Sequence, residues 1–419
     1  MYYQSGDVCI ELDVQGELKH RKVSYPPLVG RYHRMTLPGY VLFYDNNGDV
    51  KYIHGRGRDW PHPSEWLKRT PGNTWVYYFS GRYTEDLYDW LGEHYLPCFR
   101  YPSNSLWQVD PFAEEAVQRA LAVWRDAPFL AERHLDSGAP ERIRRFLRLV
   151  QTRGENVHRR NAEELWRVLG DRVRVLPPDT RHVDYEVLPL IIADGCLYNC
   201  SFCRVKSGRA FRSRSEEEVR EQLRGVRDLF REDMVNLNAA FLGQDDALHA
   251  GREHVENAAR TCLEALRDCP LQERFLFLFA SVSSLLTAPE DLWRSLADMP
   301  CRTYVNVGLE SPDGDTLGEL GKPVGSGEVK EAFSRMLELN ERYERVEVSA
   351  NFVVDPDLPR SHWTGLEELL RDVPGRPRSK GTVYLSPLQG GRKREHMRLI
   401  QSLKMRSRLP VFLYLIQQL

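Results

Sequence analysis

The sequence lacks any hydrophobic run long enough to cross a lipid bilayer. Its longest apolar runs, Phe275–Ala280 and Val411–Ile416, are far shorter than the roughly 20 residues of a transmembrane helix. Residues Met1–Asp13 lack the basic stretch followed by an apolar stretch that marks a secretory signal. We therefore expect a cytoplasmic protein without a membrane partner, whose cysteines are kept reduced.

An excess of one charge, internal repeats and low-complexity segments are also missing. The 419 residues include 58 Lys and Arg against 60 Asp and Glu, which gives a net charge of -2. This balance provides no global attraction to a polyanion such as RNA. With 42% hydrophobic residues, the composition is that of a globular protein of two or three domains.

Cysteines are few, but three of the eight lie close together. The segment Gly195-Cys196-Leu197-Tyr198-Asn199-Cys200-Ser201-Phe202-Cys203 has C-x3-C-x2-C spacing and follows the apolar segment Val187–Ala193, which contains Pro189. Spacers this short let one loop bind three corners of a [4Fe-4S] cluster. Structural zinc or an electron-transfer cluster needs a fourth protein ligand, and neither His182 nor His254 lies at a suitable spacing. The triplet therefore predicts a cluster with one open iron.

The remaining cysteines are Cys9, Cys98, Cys262, Cys269 and Cys301. Cys262 and Cys269 lie in a helical pattern, so packing in the core is the simpler interpretation. An auxiliary cluster formed by Cys262, Cys269 and Cys301 remains an alternative.

Residues 1–105 are predicted to be a strand-rich region. Val41–Tyr44 and Val50–Ile53 flank Asn47-Gly48, which is a strong hairpin signal. Thr74–Phe79 is a further strand candidate, and its aromatic side chains would belong to the core or line a substrate surface. Residues 1–105 are thus expected to form the β part of an α+β region.

Residues 106–178 are predicted to be a helical segment and linker. Asp110-Pro111 is a good helix start, and apolar residues at helical spacing follow it. The pair Pro177-Pro178 ends the helical pattern, so a new domain is expected from residue 179.

Apolar strands and amphipathic helices alternate in residues 179–390, which predicts a parallel sheet. The predicted strands are Val187–Ala193, Asn238–Leu242, Phe275–Val282, Tyr304–Val307, Val346–Val354 and Thr382–Leu385. About six βα units are fewer than the eight of a closed TIM barrel. The expected fold class is α/β, a partial (βα)6 TIM-like barrel with the α+β region before it. Capping boxes at Ser215 and Thr287 predict two helix starts, and residues 391–419 are expected to be a C-terminal helical extension.

The cysteine spacing, with Phe202 directly before the third cysteine, resembles the signature of radical SAM enzymes. The resemblance covers roughly residues 186–388 and implies two cofactors, a [4Fe-4S] cluster and S-adenosylmethionine (SAM). It implies that Cys196, Cys200 and Cys203 bind the cluster and that SAM chelates the open iron. One electron, from a donor such as flavodoxin or ferredoxin, then cleaves SAM to a 5′-deoxyadenosyl radical, which takes a hydrogen atom from the substrate.

Other candidate residues follow the predicted strands, where functional groups of parallel sheets gather. Gly243, Gln244, Asp245 and Asp246 lie where the family carries a Gly-Gly-Glu-like turn that binds the SAM amino group. Gln244 replaces the second glycine, so Asp245 or Asp246 must supply the carboxylate. The alternative is a capped acidic loop.

The turn Gly308-Leu309-Glu310-Ser311 resembles one in the subgroup of oxygen-independent coproporphyrinogen oxidases and methylthiotransferases. The resemblance implies that Glu310 and Ser311 face the methionine or ribose of SAM; a turn cap is the alternative. It also implies that Ser386, after the sixth strand, lies at the adenine. Asp355-Pro356-Asp357 replaces the Gly-x-Ile-x-Gly-like turn of relatives, so one adenine wall is unassigned.

The substrate is indicated only weakly. Residues 390–408 carry seven basic side chains and one acidic one, Glu395. A basic helix beside an active site would attract an anionic small molecule or RNA, or it is merely the solvated face of a closing helix. A non-catalytic iron–sulfur protein that has lost SAM chemistry is the competing class.

Three specialisations of the family are disfavoured. The sequence lacks a seven-cysteine extension, an N-terminal Asp-x-His-x-x-Gly cobalamin motif and an additional N-terminal cysteine triplet.

Overall fold

The structure is a computed structural model. It describes residues 1–20, 28–79, 87–97, 104, 106, 110–135, 138–198, 200–203, 209–375 and 378–419. The predicted site residues all belong to these ranges, whereas Cys98 lies outside them.

An antiparallel sheet forms the first part of the chain, and each strand pairs with the next one in sequence. Its strands are β1 Tyr2–Ser5, β2 Val8–Gln15, β3 Arg31–Leu37, β4 Tyr40–Tyr44, β5 Val50–Gly55, β6 Trp66–Arg69, β7 Trp75–Tyr78 and β8 Tyr95–Pro97, with helix α1 Leu87–Leu91 before β8. The predicted hairpin is confirmed, because β4 and β5 pair across a turn in which Gly48 has a φ of 81°. The Asp45 carboxylate accepts hydrogen bonds from the N–H groups of Asn47 and Asp49 there.

Three helices pack against this sheet: α2 Glu115–His134, α3 Glu141–Thr152 and α4 Glu155–Leu169. The ring of Phe146 lies 5.4 Å from that of Tyr44, and the ring of Trp124 lies 5.2 Å from that of Trp75. The predicted start at Asp110 is wrong for α2. Asp110 instead caps a 3-10 turn at Pro111–Ala113, since its carboxylate accepts from the N–H of Phe112.

A second sheet is entirely parallel, and its order along the sheet follows the sequence. Its strands are β9 Leu188–Pro189, β12 Ala239–Phe241, β13 Phe275–Ala280, β14 Arg302–Glu310, β15 Val346–Val354, β16 Val383–Pro387 and β17 Val411–Leu413. The short strands β10 Ala193–Asp194 and β11 Arg212–Ser213 pair antiparallel beside it. Within the described ranges β9 and β17 are edges and do not pair with each other, so the barrel is partial, as predicted.

Helices follow most of these strands and cover the sheet. They are α5 Glu216–Phe230, α6 Arg252–Ala265, α7 Val282–Thr287, α8 Glu290–Asp298, α9 Gly314–Glu319, α10 Ser326–Arg342, α11 Arg360–Arg371 and α12 Lys393–Arg406. The capping box at Ser215 is confirmed. The helix predicted after Thr287 is present as α8, but Thr287 does not cap it, because Thr287 ends α7 and its hydroxyl donates to the carbonyl of Ser283. Across the described helices, none combines the length and apolarity of a membrane span.

The C-terminal stretch expected to be helical contains a strand. After α12, residues Val411–Leu413 pair in parallel with β16 and become the seventh strand. An apolar run of this length has no periodicity that separates a strand from a helix. The run forms a strand because it pairs with the edge of β16 that would otherwise be free.

A buried polar network joins the linker to the parallel sheet. A 3-10 helix at Pro178–Val183 carries Asp179, which accepts from the hydroxyls of Ser349 (2.6 Å) and Tyr384 (2.8 Å). Arg181 donates to the same Tyr384 hydroxyl at 2.9 Å. The Ser349 hydroxyl also accepts from Asn306 at 2.8 Å. The linker therefore packs on the sheet face that carries Asn306 and Ser349.

Replacing Asp179 with asparagine is expected to flatten the pH dependence of stability. Burial, and secondly the charge of Glu347, raise the pKa of Asp179 to about 6 from 3.8. Because the folded state binds this proton more tightly than the unfolded state does, the carboxyl costs stability as pH rises through that window and throughout higher pH. The advantage of the variant should be about 2–3 kcal/mol larger near pH 8 than near pH 4.

Urea unfolding of the iron-free protein at both pH values measures this difference. The exposed Asp268, changed to asparagine, is the matched control. An equal effect of Asp179→Asn at both pH values would contradict the prediction.

Candidate functional site

A cavity of about 230 Å³ opens at the carboxyl ends of the parallel strands. The predicted site residues that line it are Cys196, Cys200, Phe202, Cys203, Gln244, Asp245, Asp246, Glu310 and Ser386. The further lining residues are Val175, Tyr198, Phe279, Ala280, Ser281, Gly308, Lys322, Asn351, Val353, Pro387, Leu388, Tyr414 and Ile416. Most of the predicted residues therefore meet at one place.

The cysteine loop leaves the sheet through a glycine that no other residue could replace without strain. Gly195 has a φ of 75°, and a Cβ there would lie 2.5 Å from the carbonyl oxygen of Arg209. Directly before it, Asp194 of β10 forms a buried ion pair with Arg214 at 2.5 Å. These contacts, together with the pairing of β10 and β11, fix both ends of the loop that carries the thiols.

The three thiols share one wall of the cavity. Burial raises the pKa of Cys196 to about 11 and also raises the pKa of Cys200. Within the described residues, which leave out Asn199 and 204–208, no three His, Cys, Asp or Glu side chains already surround one metal position. The loop thus offers three soft sulfur donors, which suit iron–sulfur clusters or zinc and not Mg²⁺ or Ca²⁺.

In the turn after β12, the side chains of Gln244 and Asp245 bind neighbouring backbone groups, and Gln244, Asp245 and Asp246 line the cavity. Gly243 has a φ of 117° and does not line the cavity. The Gln244 amide is occupied by the linker, since it donates to the carbonyl of Arg172 and accepts from the N–H of Arg174. Asp245 accepts from the N–H of Gly195 at 3.1 Å, and burial raises its pKa to about 6. Asp245 therefore ties this turn to the cysteine loop.

Asp246 lines the cavity, and only one of its two carboxylate oxygens has hydrogen-bond partners among the described residues. Its Oδ1 accepts from the N–H of Ser281 (3.1 Å) and from the hydroxyl of Ser284 (2.7 Å) at the start of α7. Its Oδ2 is buried without a hydrogen-bond partner in the part of the chain that the structure describes. Since buried polar atoms are nearly always satisfied, this oxygen is expected to bind a ligand donor.

Glu310 and Lys322 form an ion pair, and both residues line the cavity. Glu310 has a φ of 64°, and the Gly308 position has room only for hydrogen, because a Cβ there would lie 2.4 Å from the Glu310 carboxylate. The ammonium of Lys322 lies 3.4 Å from that carboxylate and 5.1 Å from the ring centre of Tyr198. Burial raises the pKa of Glu310. Lys322 is the only basic residue among the described lining residues.

Ser311 lies behind this pair and away from the cavity. It is fully buried, shares a 2.8 Å hydrogen bond with Nδ1 of His362, and accepts from the N–H of Asp313. The side chain therefore supports the turn that positions Glu310.

Several lining residues were not found from the sequence. Ser281 follows β13 directly. Because functional groups gather after the strands of a parallel sheet, Ser281 would have been found if the strand had been predicted to end at Ala280. Asn351 lies within β15 and its amide donates to that of Asn306. Val175, Tyr414 and Ile416 come from the linker and the C-terminal stretch, where no pattern signals a site.

The other cysteines do not extend the site. Cys262, Cys269 and Cys301 are buried, and burial raises the pKa of Cys262 to about 12. None of the three lines the cavity, and no metal-binding group of the described residues contains them. Core packing therefore accounts for them.

Solved structures with similar chains are radical SAM enzymes. A radical SAM methyltransferase from Sphaerobacter thermophilus is 17% identical, with 69% of this chain and 93% of that chain covered and a TM-score of 0.37. The cobalamin-dependent S-adenosylmethionine radical enzyme OxsB is 16% identical, with 45% of this chain and 28% of that chain covered and a TM-score of 0.31 in its apo form. This chain thus spans less than a third of the length of apo OxsB.

No curated protein matches this chain. The family model of the radical SAM superfamily matches residues 190–370. This range contains the cysteine loop, the turn after β12 and strands β12 to β15. Residues 190–370 are therefore a radical SAM domain.

Proposed function

We propose that this enzyme binds a [4Fe-4S] cluster through Cys196, Cys200 and Cys203 and cleaves SAM reductively in the adjoining cavity. The observation that carries the proposal is that three thiols line the same cavity as Asp246, whose Oδ2 has no hydrogen-bond partner among the described residues. When bound, the cluster and SAM supply one-electron cleavage of a carbon–sulfur bond and hydrogen abstraction from an unreactive C–H bond. The donor set fits this cofactor pair, because the three sulfurs leave one iron for SAM.

The charged residues of the cavity orient SAM by its own charges. Asp246 is held by Ser281 and Ser284, so its free oxygen is a fixed acceptor for the SAM ammonium. The Lys322 ammonium attracts the methionine carboxylate of SAM. Its ion pair with Glu310 limits the directions in which the Lys322 ammonium can point. Ser311 keeps the Glu310 turn in place from behind. Ser386 lies near the end of β16 and, as the family resemblance implies, is proposed to lie at the adenine.

Apolar side chains exclude water from the reacting atoms. Phe279, Val353 and Leu388 line the cavity. Exclusion of water strengthens the electrostatic contacts and protects a reactive radical from side reactions.

The partners are an electron donor and a substrate. A flavodoxin or ferredoxin is the proposed donor. For the substrate, the basic segment 390–408 pointed to an anionic small molecule or to RNA. Arg392 pairs with Asp355 and Asp357, and Arg406 pairs with Glu367. No residue of α12 lines the cavity, so much of this charge stabilises the closing helix.

Anaerobic reconstitution of the full chain tests the proposed function. We expect about four irons per chain and 5′-deoxyadenosine from SAM only when dithionite is present. Iron-free protein and omission of dithionite are the controls. If the reconstituted protein bound iron but neither bound nor cleaved SAM, it would be a non-catalytic iron–sulfur protein and the proposal would fail.

A further inference from the structure

Two segments outside the matched domain contribute side chains to the cavity of the partial barrel. One is the linker Arg172–Leu176, and the other is the stretch Tyr414–Gln417 directly after β17. Val175, Tyr414 and Ile416 of these segments line the cavity. Val175 and Tyr414 form one apolar cluster with Tyr384, against which Phe279 and Ile416 pack. We refer to Val175, Tyr414 and Ile416 as the apolar wall.

The polar groups of these segments satisfy one another. The N–H of Leu176 donates to the carbonyl of Gln417 at 2.9 Å, and the hydroxyl of Tyr414 donates to the carbonyl of Leu176. Ile416 exchanges two backbone hydrogen bonds with the Asn104 amide, at 2.8 and 2.9 Å. The backbone groups that make these bonds are therefore already used and not offered to a cavity ligand.

The two segments are also anchored to the sheet on both sides. Gln244, after β12, binds the backbone of Arg172 and Arg174. Tyr414 donates its N–H to the carbonyl of Leu385 in β16 at 2.9 Å. The apolar wall thus spans the gap that the seven-stranded sheet leaves open.

Charge is distributed unevenly around the cavity. Asp245 and Asp246 follow β12, Glu310 ends β14, and Lys322 follows α9; all four line the cavity. The apolar wall has no charged side chain. An anionic group placed against it would be buried without a partner, which is unfavourable, whereas a hydrocarbon or aromatic segment would lose unfavourable contact with water.

We infer that the substrate is a small molecule that binds with an uncharged, apolar segment against Val175, Tyr414 and Ile416. This inference rests on the proposed function, because only an enzyme that cleaves SAM in this cavity would take a hydrogen atom from a molecule bound against the apolar wall. One electron from the reductant splits SAM into methionine and a 5′-deoxyadenosyl radical, and this radical takes one hydrogen atom from a substrate carbon to become 5′-deoxyadenosine. The substrate is left one hydrogen atom short.

The test follows deuterium from substrate to 5′-deoxyadenosine. Cells from which this gene has been removed are grown in deuterium oxide, and their extract is separated into macromolecules and small molecules. The small molecules are divided by reversed-phase chromatography into a retained, apolar fraction and an unretained, polar fraction. Each fraction is given to the reconstituted full-length enzyme with SAM and dithionite, and mass spectrometry measures the deuterated share of 5′-deoxyadenosine.

The retained fraction is expected to give a deuterated share at least about tenfold above the other two. Deuterium that came only from the polar fraction or from macromolecules such as RNA would overturn the inference, as would none from the retained fraction while 5′-deoxyadenosine is formed. Absence of 5′-deoxyadenosine in every sample would instead indicate failure of the proposed function.

Two variants of Ile416 test whether the apolar wall binds the substrate. Ile416 is half-buried, so Ile416→Asn adds a polar group to the cavity lining at small risk to folding. We expect it to lower the deuterated share about tenfold and Ile416→Leu to preserve it. Met405→Asn is the control, because Met405 is 80% exposed and outside the cavity. An unchanged share in Ile416→Asn would contradict the assignment of this wall.

Discussion

Replacing Cys196, Cys200 and Cys203 together by alanine is expected to abolish both iron binding and SAM cleavage. These thiols are the soft donors on the cavity wall, and a cluster without its cysteine ligands is lost. Iron content, absorbance of the cluster and the yield of 5′-deoxyadenosine after anaerobic reconstitution measure the effect. We expect iron to fall from about four per chain to near zero.

The matched control removes the same number of thiols elsewhere. Cys262, Cys269 and Cys301 are buried away from the cavity, so their replacement by alanine should retain about four irons. Loss of part of the iron in this control would reveal an auxiliary cluster. Unchanged iron and unchanged 5′-deoxyadenosine in the first triple variant would remove the proposed function.

The fold was predictable wherever local pattern and tertiary pairing agree. Phe275–Ala280 is apolar throughout because strands of a covered parallel sheet are buried on both faces, and this run is a strand. Val346–Val354 is also a strand, although Glu347, Ser349 and Asn351 interrupt its apolar residues. Val411–Leu413 could not be predicted, since its strand identity comes from the edge of β16. The cap predicted at Thr287 was wrong for a related reason. The capping pattern is read from neighbouring residues alone and does not show that Thr287 is already the last residue of α7.

The site was predictable only as far as strand ends specify it. The rule brought Asp245, Asp246, Glu310 and Ser386 to one cavity. It could not tell which of them faces inward, because that depends on neighbours such as Ser284 and Gly195, which bind Asp246 and Asp245. The apolar wall escaped sequence reasoning altogether, since side chains far apart in sequence meet there only through the closing of the barrel.

Asp246→Asn is expected to weaken SAM binding by about 2–4 kcal/mol, roughly 30- to 1,000-fold in Kd. Oδ1 accepts two hydrogen bonds, from the N–H of Ser281 and the hydroxyl of Ser284, so the asparagine should keep its oxygen there. Its NH₂ group then replaces the unpartnered oxygen and meets the SAM ammonium donor to donor. Anaerobic equilibrium dialysis of SAM, with iron content measured in parallel, gives the affinity while showing that the cluster is intact.

Asp245→Asn separates a ligand role from a structural one. Asp245 accepts from the N–H of Gly195, and an asparagine oxygen can accept the same bond. Because burial raises the pKa of Asp245 to about 6, its charge is also already disfavoured in the folded protein. We therefore expect a much smaller loss of SAM affinity than for Asp246→Asn. A larger loss in Asp245→Asn would transfer the ammonium site to Asp245, and equal, unchanged affinity in both variants would leave the turn after β12 with a structural role alone.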